Sequence, residues 1–374
     1  MVHVYAIDKH TGAMHAKGAY KAAGDYTVSR YDIGTAALDL PLTHQAVQQT
    51  AVGDLLLIDG AYWYIVTGRD VSRDASGRVT MRAHQLAEIL RRRQITPDNS
   101  AGKDMPIGYD SVAGTTETVV KHYVAACAVS PINPARIIRG LTIADDQGRG
   151  IADDAYSARY VNLWDTIASI GKLASLSPVV TADIDRQRLV FDVAANRNRT
   201  VDQQVYKPLI LQMERHNLLS CDYTYDTSAA ANVFYASRAG DQYAWETLTQ
   251  TYWSTEDEPK GLDRRECWLS VSVYTDTGNQ YEQLGKNARK AMTDYKTAES
   301  LTAAISPSMT FGRDYQVGDV ATVIDKMAGV RMDAEITTVT VQDDTSGKRT
   351  ATATFGDGKT SRFDKIAREL KSKG

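Results

Sequence analysis

Apolar and polar residues alternate along the first eighty positions of the chain. Val2 to Ile7 follows this pattern up to the turn His10-Thr11-Gly12, and Ala19 to Arg30 continues it with Tyr, Thr and Val around Ala23-Gly24-Asp25. Leu38-Asp39-Leu40-Pro41 interrupts the pattern. Ala61 to Thr67 and Arg78 to Met81 resume it, with Asp74 to Gly77 read as a hairpin turn. A period of two places alternate side chains on opposite faces of a strand, so this segment reads as β. Closely spaced strands joined by turn residues predict a small barrel or sandwich.

The period then changes. In His84 to Arg93, Leu86, Ile89 and Leu90 fall at helical spacing. Thr116 to Ala128 carries Val119, Val120, Tyr123, Val124 and Cys127 on one side, and Pro131 and Pro134 end it. Asn162 to Leu176 has the stripe Leu163, Ile167, Ile170, Leu173 and Leu176, stopped by Ser177-Pro178. A hairpin follows, from Val179 to Val193 around the turn Asp183 to Arg186. From Leu218 the chain is again rich in strands. Glu282 to Tyr295 and Phe363 to Lys373 read as amphipathic helices. The middle of the chain is α+β.

One short phrase occurs twice, Val52-Gly53-Asp54 and Val317-Gly318-Asp319. Each copy opens an apolar run, Leu55 to Ile58 and Val320 to Ile324. Each run is followed by a turn and a further β-rich run, Tyr62 to Thr67 and Ala334 to Val341. Such a repeat around an unrelated middle is the mark of internal duplication. In each copy Gly permits a positive φ, and Asp caps the turn through its side chain. Gly53, Asp54, Gly318 and Asp319 are therefore expected to be structural turn residues, not a binding site.

Composition sets the size and limits the partners. At 374 residues the chain exceeds one ordinary core, and two to four packed units are expected. A net charge of −3 gives no electrostatic reason for a nucleic-acid partner. Arg91-Arg92-Arg93 reads as a solvated helix end. There are 20 Tyr against 5 Phe and 5 Trp. That skew fits exposed sheets and subunit interfaces, or simply a strand-rich sequence. Cys127, Cys221 and Cys267 are too far apart for a disulfide framework or a zinc site. No membrane span and no secretory signal is read from the sequence.

The search for chemistry returns little. There is no G-x-S-x-G, no H-E-x-x-H and no phosphate-binding G-x-x-x-x-G-K-[ST]. Asp145, Asp146, Asp153 and Asp154 cluster in one loop but lack the alternating placement of a calcium loop, so they read as solvated. Gly148 and Gly150 do not make a dinucleotide cradle. His122 and Cys127 sit five apart on one predicted helix and point away from each other, which excludes a nucleophile pair. Tyr243, Trp245, Tyr252 and Trp253 belong to an aromatic-dense stretch suited to stacking on sugars or to packing at an interface. No catalytic residue, metal site or cofactor is expected.

Several phrases, taken in order, resemble one family. They are His84 to Arg93, Ala158 to Asp165, Leu189 to Val193 through Asn198-Arg199-Thr200, and Glu214 to Leu219. Gly261 to Glu266, Tyr315 to Val320 and Phe355-Gly356 complete the series. From about residue 30 to 358 the chain resembles siphophage tail-tip hub proteins related to the tail-associated lysins of phages and prophages of Gram-positive hosts. Those proteins share a fold with the central baseplate hub of contractile-tailed phages.

The resemblance implies an α+β, multidomain protein in which two similar small β-barrels flank mixed insert domains. The expected segments are a first barrel at 1–82, a central α+β domain at 83–215 and a strand-rich domain at 216–300. A second barrel at 301–358 and a C-terminal helix at 359–374 follow. It also implies a homotrimer in the virion, at the distal tail tip, joining a six-fold tube to a three-fold tip. Its partners would be the distal tail or tube protein, the tape measure protein, and tip or fibre proteins. Wall-degrading relatives carry that activity on an added C-terminal domain that this sequence lacks, so no enzyme is expected. A tail-associated hydrolase and a carbohydrate-binding module are the alternatives.

Overall fold

The computed structural model describes residues 1–72, 77–97, 108–239, 248–273, 279–327 and 329–356. Tyr243, Trp245 and the expected helix at 359–374 lie outside the described residues. β-Strands dominate the fold, and helices are few. The chain divides into two compact units: residues 1–221 with 303–354, and residues 222–302 with 355–374.

In the first unit, the two segments that carry the repeated phrase belong to one sheet. Its path runs through Arg349–Gly356, Val330–Asp343, Ala23–Ser29, Thr35–Pro41, Arg78–Gln85, Tyr62–Ser72, Leu55–Ile58, Val2–Ile7 and Met14–Tyr20. The chain leaves this unit along Leu218–Asp226 and returns along Ala298–Ile305. Those strands continue the path beyond Arg349–Gly356.

Leu55 to Ile58 shows why a continuous apolar run makes a central strand. It pairs antiparallel with Val2–Ile7 on one edge and with Tyr62–Ile65 on the other. Leu55 joins the core formed with the helices, while Leu56 and Ile58 are buried as well. Burial on both faces removes the need for polar alternation.

Two helices of the first unit lie where their apolar stripes place them, one of them with shorter bounds. Thr116–Val124 starts at Thr115, whose hydroxyl accepts from the Thr118 N–H, and continues as a wider turn through Ala125–Val129. Val119, Val120, Tyr123, Val124 and Cys127 are all buried. Leu163–Leu173 is capped by Asn162 and packs Leu163, Trp164, Ile167 and Ile170 into the same core. Leu176 lies beyond that helix, in the strand Leu176–Asp183.

At His84 to Arg93 the structure departs from the expected helix. His84 and Gln85 end a strand, and only Glu88–Arg91 turns helically. The Gln85 side-chain carbonyl accepts from the Ser29 and Gly34 N–H groups, which ties this position to the sheet. Tertiary pairing overrides local propensity here.

In the second unit, Val233–Arg238 lies between Thr249–Trp253 and Glu266–Val271 in a three-stranded sheet. The helix Gln280–Met292 packs Leu284 and Ala288 against Phe234, Ala236 and Leu269.

Candidate functional site

The repeated phrase folds twice into the same turn. Gly53 has φ +98° and Gly318 φ +90°, conformations that disfavour a residue with a Cβ. The Gly53 N–H donates to Val66 O at 2.8 Å, and the Gly318 N–H to Ile336 O at 2.8 Å. Asp54 N–H donates to Ala51 O at 3.1 Å, and Asp319 N–H to Gln316 O at 3.2 Å. In return, Asp54 Oδ2 accepts from Ala51 N at 2.7 Å and Asp319 Oδ2 from Gln316 N at 3.0 Å. Four residues and three hydrogen bonds are thus repeated in register.

The strands that follow repeat as well. Ala23–Ser29, Thr35–Pro41, Arg78–Gln85, Tyr62–Ser72 and Leu55–Ile58 lie side by side in that order. Leu218–Asp226, Ala298–Ile305, Arg349–Gly356, Val330–Asp343 and Asp319–Asp325 repeat both the spatial order and the order along the chain. Each is a five-stranded module. Residues 30–34 link the first two strands of the first module, whereas the second unit is inserted at the same point of the second.

The surroundings of the two turns differ. Asp54 is buried and holds Lys17 Nζ at 2.7 Å, with Lys17 itself partly in water. Val52, at the tip, is 56% exposed. Asp319 is 0% exposed and takes two cations, Arg197 at 2.7 Å and Arg199 at 2.9 Å. Arg199 also donates to the carbonyls of Asp314 and Lys207, which fixes its head group.

A further charge lies under the second turn. Arg30, almost fully buried, donates to Ser175 O at 2.9 Å and Ala194 O at 2.8 Å, and pairs with Glu335 at 2.5 Å. Burial pushes the Glu335 carboxyl above its ordinary range, although Arg30 pulls it down. The first module has Ile65 at the position of Glu335, since Leu55 faces Ile65 and Val320 faces Glu335. Arg30, Tyr62, Trp63, Trp164, Ser177 and Val317 help to line a cavity of about 260 Å³ beside this turn.

The remaining sequence candidates are dispersed. Arg149, from the aspartate-rich loop, grips the buried Glu117 with two hydrogen bonds at 2.8 and 2.9 Å. Lys121 bonds the same carboxylate at 2.7 Å, and Asp192 lies within 3.1 Å of both cations. The Arg149 hydrogen bonds hold the Glu117 carboxyl far below its ordinary range, against its burial. Asp145 offers its backbone carbonyl to Lys121, and Asp146 caps the Gly148 N–H. No group of three or more metal-ligating side chains occurs among the described residues.

His122 bonds Asp110 at 2.7 Å, and burial pushes the Cys127 thiol up. Tyr252 and Trp253 are adjacent in one strand and so face opposite ways. Tyr252 packs on the core of the second unit with Arg289 over its ring, while Trp253 is exposed. The sequence search gave no role to Arg30, Arg197, Arg199 or Glu335, although Arg199 stands in one of the resembling phrases. Arg30 and Glu335 signal only by charge within β-rich runs, and Arg197 and Arg199 lie in a polar stretch.

The model of one protein family, described as siphovirus ReqiPepy6 Gp37-like protein, matches residues 16–357. No curated protein matches the chain. Among solved structures, the 43 kDa tail protein of prophage MuSo2 from Shewanella oneidensis is similar with TM-score 0.56 and 12% identity. That match covers 95% of this chain and 98% of the other. The tail protein from Neisseria meningitidis MC58 gives TM-score 0.56 and 16% identity over 96% of both chains. Prophage tail protein gp18 from Listeria monocytogenes EGD-e gives 0.53 and 14%, over 100% of this chain and 99% of the other.

Proposed function

The chain belongs to the siphovirus ReqiPepy6 Gp37-like family and shares its fold with prophage tail proteins; on that premise we propose that it forms a trimeric hub at the distal end of a phage tail. The observation that carries this reading is the repeated module. One chain holds two five-stranded modules with the same strand order and the same Gly-Asp turn. Three chains then supply six near-equivalent modules, which fit a six-fold tube, while the inserted segments repeat only three times, as a three-fold tip requires. Each module is read as a small barrel, the second being completed by Leu218–Asp226.

In this reading Gly53, Asp54, Gly318 and Asp319 are framework residues. The protein is a structural part of the virion, whose partners are the tube or distal tail protein, the tape measure protein and the tip or fibre proteins. The test is its mass in solution, alone and with the adjacent tube protein. A trimer in either condition is the expected result; a monomer in both removes the ring. A zymogram on host cell walls checks the structural role. Clearing that disappears on changing one acidic residue would replace it with a hydrolase.

A further inference from the structure

The two modules are joined within the chain by one defined contact. Residues 338–343, the outer half of the long strand in the second module, pair antiparallel with residues 24–29, the first strand of the first. Val341 lies opposite Tyr26, and both are buried. Thr340 and Thr27 share a hydroxyl hydrogen bond of 3.0 Å. The contact is therefore apolar on one face and hydrogen-bonded on the other.

The corresponding half-strand of the first module is Gly68 to Ser72. It pairs with Arg78 to Arg82 on one edge, whereas the neighbour on the other edge, Leu55–Ile58, reaches only as far as Ile65. Counting from the hydrogen bonds that Gly53 and Gly318 make, Val71 is the counterpart of Val341. Val71 lies opposite Val79, which is fully buried, yet Val71 itself is 50% exposed. Its open edge lacks the strand that flanks Val341.

The counterpart of Ala23–Ser29 is Leu218–Asp226, which ends the path of the sheet. Its outer edge meets no strand among the described residues. Leu219, Tyr223 and Tyr225 alternate along it and are exposed. An open edge with exposed apolar side chains is a template for another strand.

We propose that Gly68 to Ser72 of one copy pairs antiparallel with Leu218–Asp226 of a neighbouring copy, repeating between subunits the contact made within the chain. This rests on the trimeric reading and deepens it. The interface is heterologous, each copy offering one edge of each kind, so it propagates head to tail and closes as a ring. The occupant of each open edge is a second copy of this chain.

The test places the photocrosslinker p-benzoylphenylalanine at position 71 of the full chain and compares native masses of the wild type, Val71→Lys and Tyr225→Lys. Leu262→Lys, fully exposed and outside both strands, is the control. The expected result is an inter-chain adduct mapping to residues 218–226. The two edge variants should also assemble at least about tenfold more weakly, with unchanged circular dichroism and, at concentrations where the subunit is monomeric, an unchanged melting temperature. A trimer that persists in both variants and gives no such adduct overturns the strand pairing while leaving the trimer intact. A wild type that stays monomeric at every concentration and with the tube protein, and gives no adduct, overturns both.

Discussion

The turns at Gly53 and Gly318 have the same backbone and different environments. Both use a positive-φ glycine, an aspartate cap and the same three hydrogen bonds. The first turn is open: a Cβ at Gly53 would meet only the end of Lys9, at 3.7 Å. The second is closed, because a Cβ at Gly318 would stand 2.1 Å from Arg30 Nη1. A short phrase sets a conformation; what surrounds it sets how much the fold depends on it.

The largest effect should come from Gly318→Ala. The backbone conformation alone costs about 1–2 kcal/mol for a residue with a Cβ. Arg30 cannot swing away cheaply, since Ser175, Ala194 and Glu335 hold it. Displacing a buried, paired charge adds about 3 kcal/mol. Gly53→Ala carries only the conformational part. Urea unfolding of the two variants measures the gap, and equal losses would mean that the environments do not matter.

Asp319→Ala should follow, at about 3 kcal/mol, because it leaves Arg197 and Arg199 facing an empty, buried site. Asp54→Ala should cost about 1–2 kcal/mol, mostly from the lost turn cap, since Lys17 can turn to water. A reversed order in the unfolding midpoints would break the comparison.

A smaller difference concerns pH. The Glu335 carboxyl is raised in the folded protein, so the fold binds its proton more tightly than the unfolded chain does. That contribution is fully present below the unfolded value, near 4.5, and is lost as pH rises through the folded one. The wild type should therefore lose stability relative to Glu335→Gln as pH rises above that value. Ile65, at the matching position of the first module, cannot titrate, and Ile65→Leu should leave the pH profile unchanged.

Glu117 provides the opposite sign. Its carboxyl is held low, so its contribution is present above the unfolded value and is lost as pH falls toward the folded one. Acid titration of Glu117→Gln against the wild type checks this, with the stability gap closing on the acid side. The smallest effect is expected for Val71→Lys on the isolated subunit. The side chain is already half in water, so unfolding should shift by less than about 0.5 kcal/mol.

The sequence made the local features legible. The apolar stripe of Leu163, Ile167 and Ile170 placed its helix, and the double Val-Gly-Asp marked two related strands. It misread His84 to Arg93, where helical spacing competed with a sheet that needed Gln85 as a partner for two backbone N–H groups. Charges such as Arg30 were invisible, because their value depends on carbonyls more than a hundred positions away, at Ser175 and Ala194.

What the sequence determined by itself was the repeated turn and the periodicity of its strands, since both depend on near neighbours and on the freedom of glycine at positive φ. Only the tertiary structure decided that the two modules share one sheet through residues 24–29 and 338–343. It alone decided that one turn is sealed over a buried ion pair while the other faces water. Backbone conformation is encoded within a few residues, whereas burial and strand pairing exist only once distant segments meet.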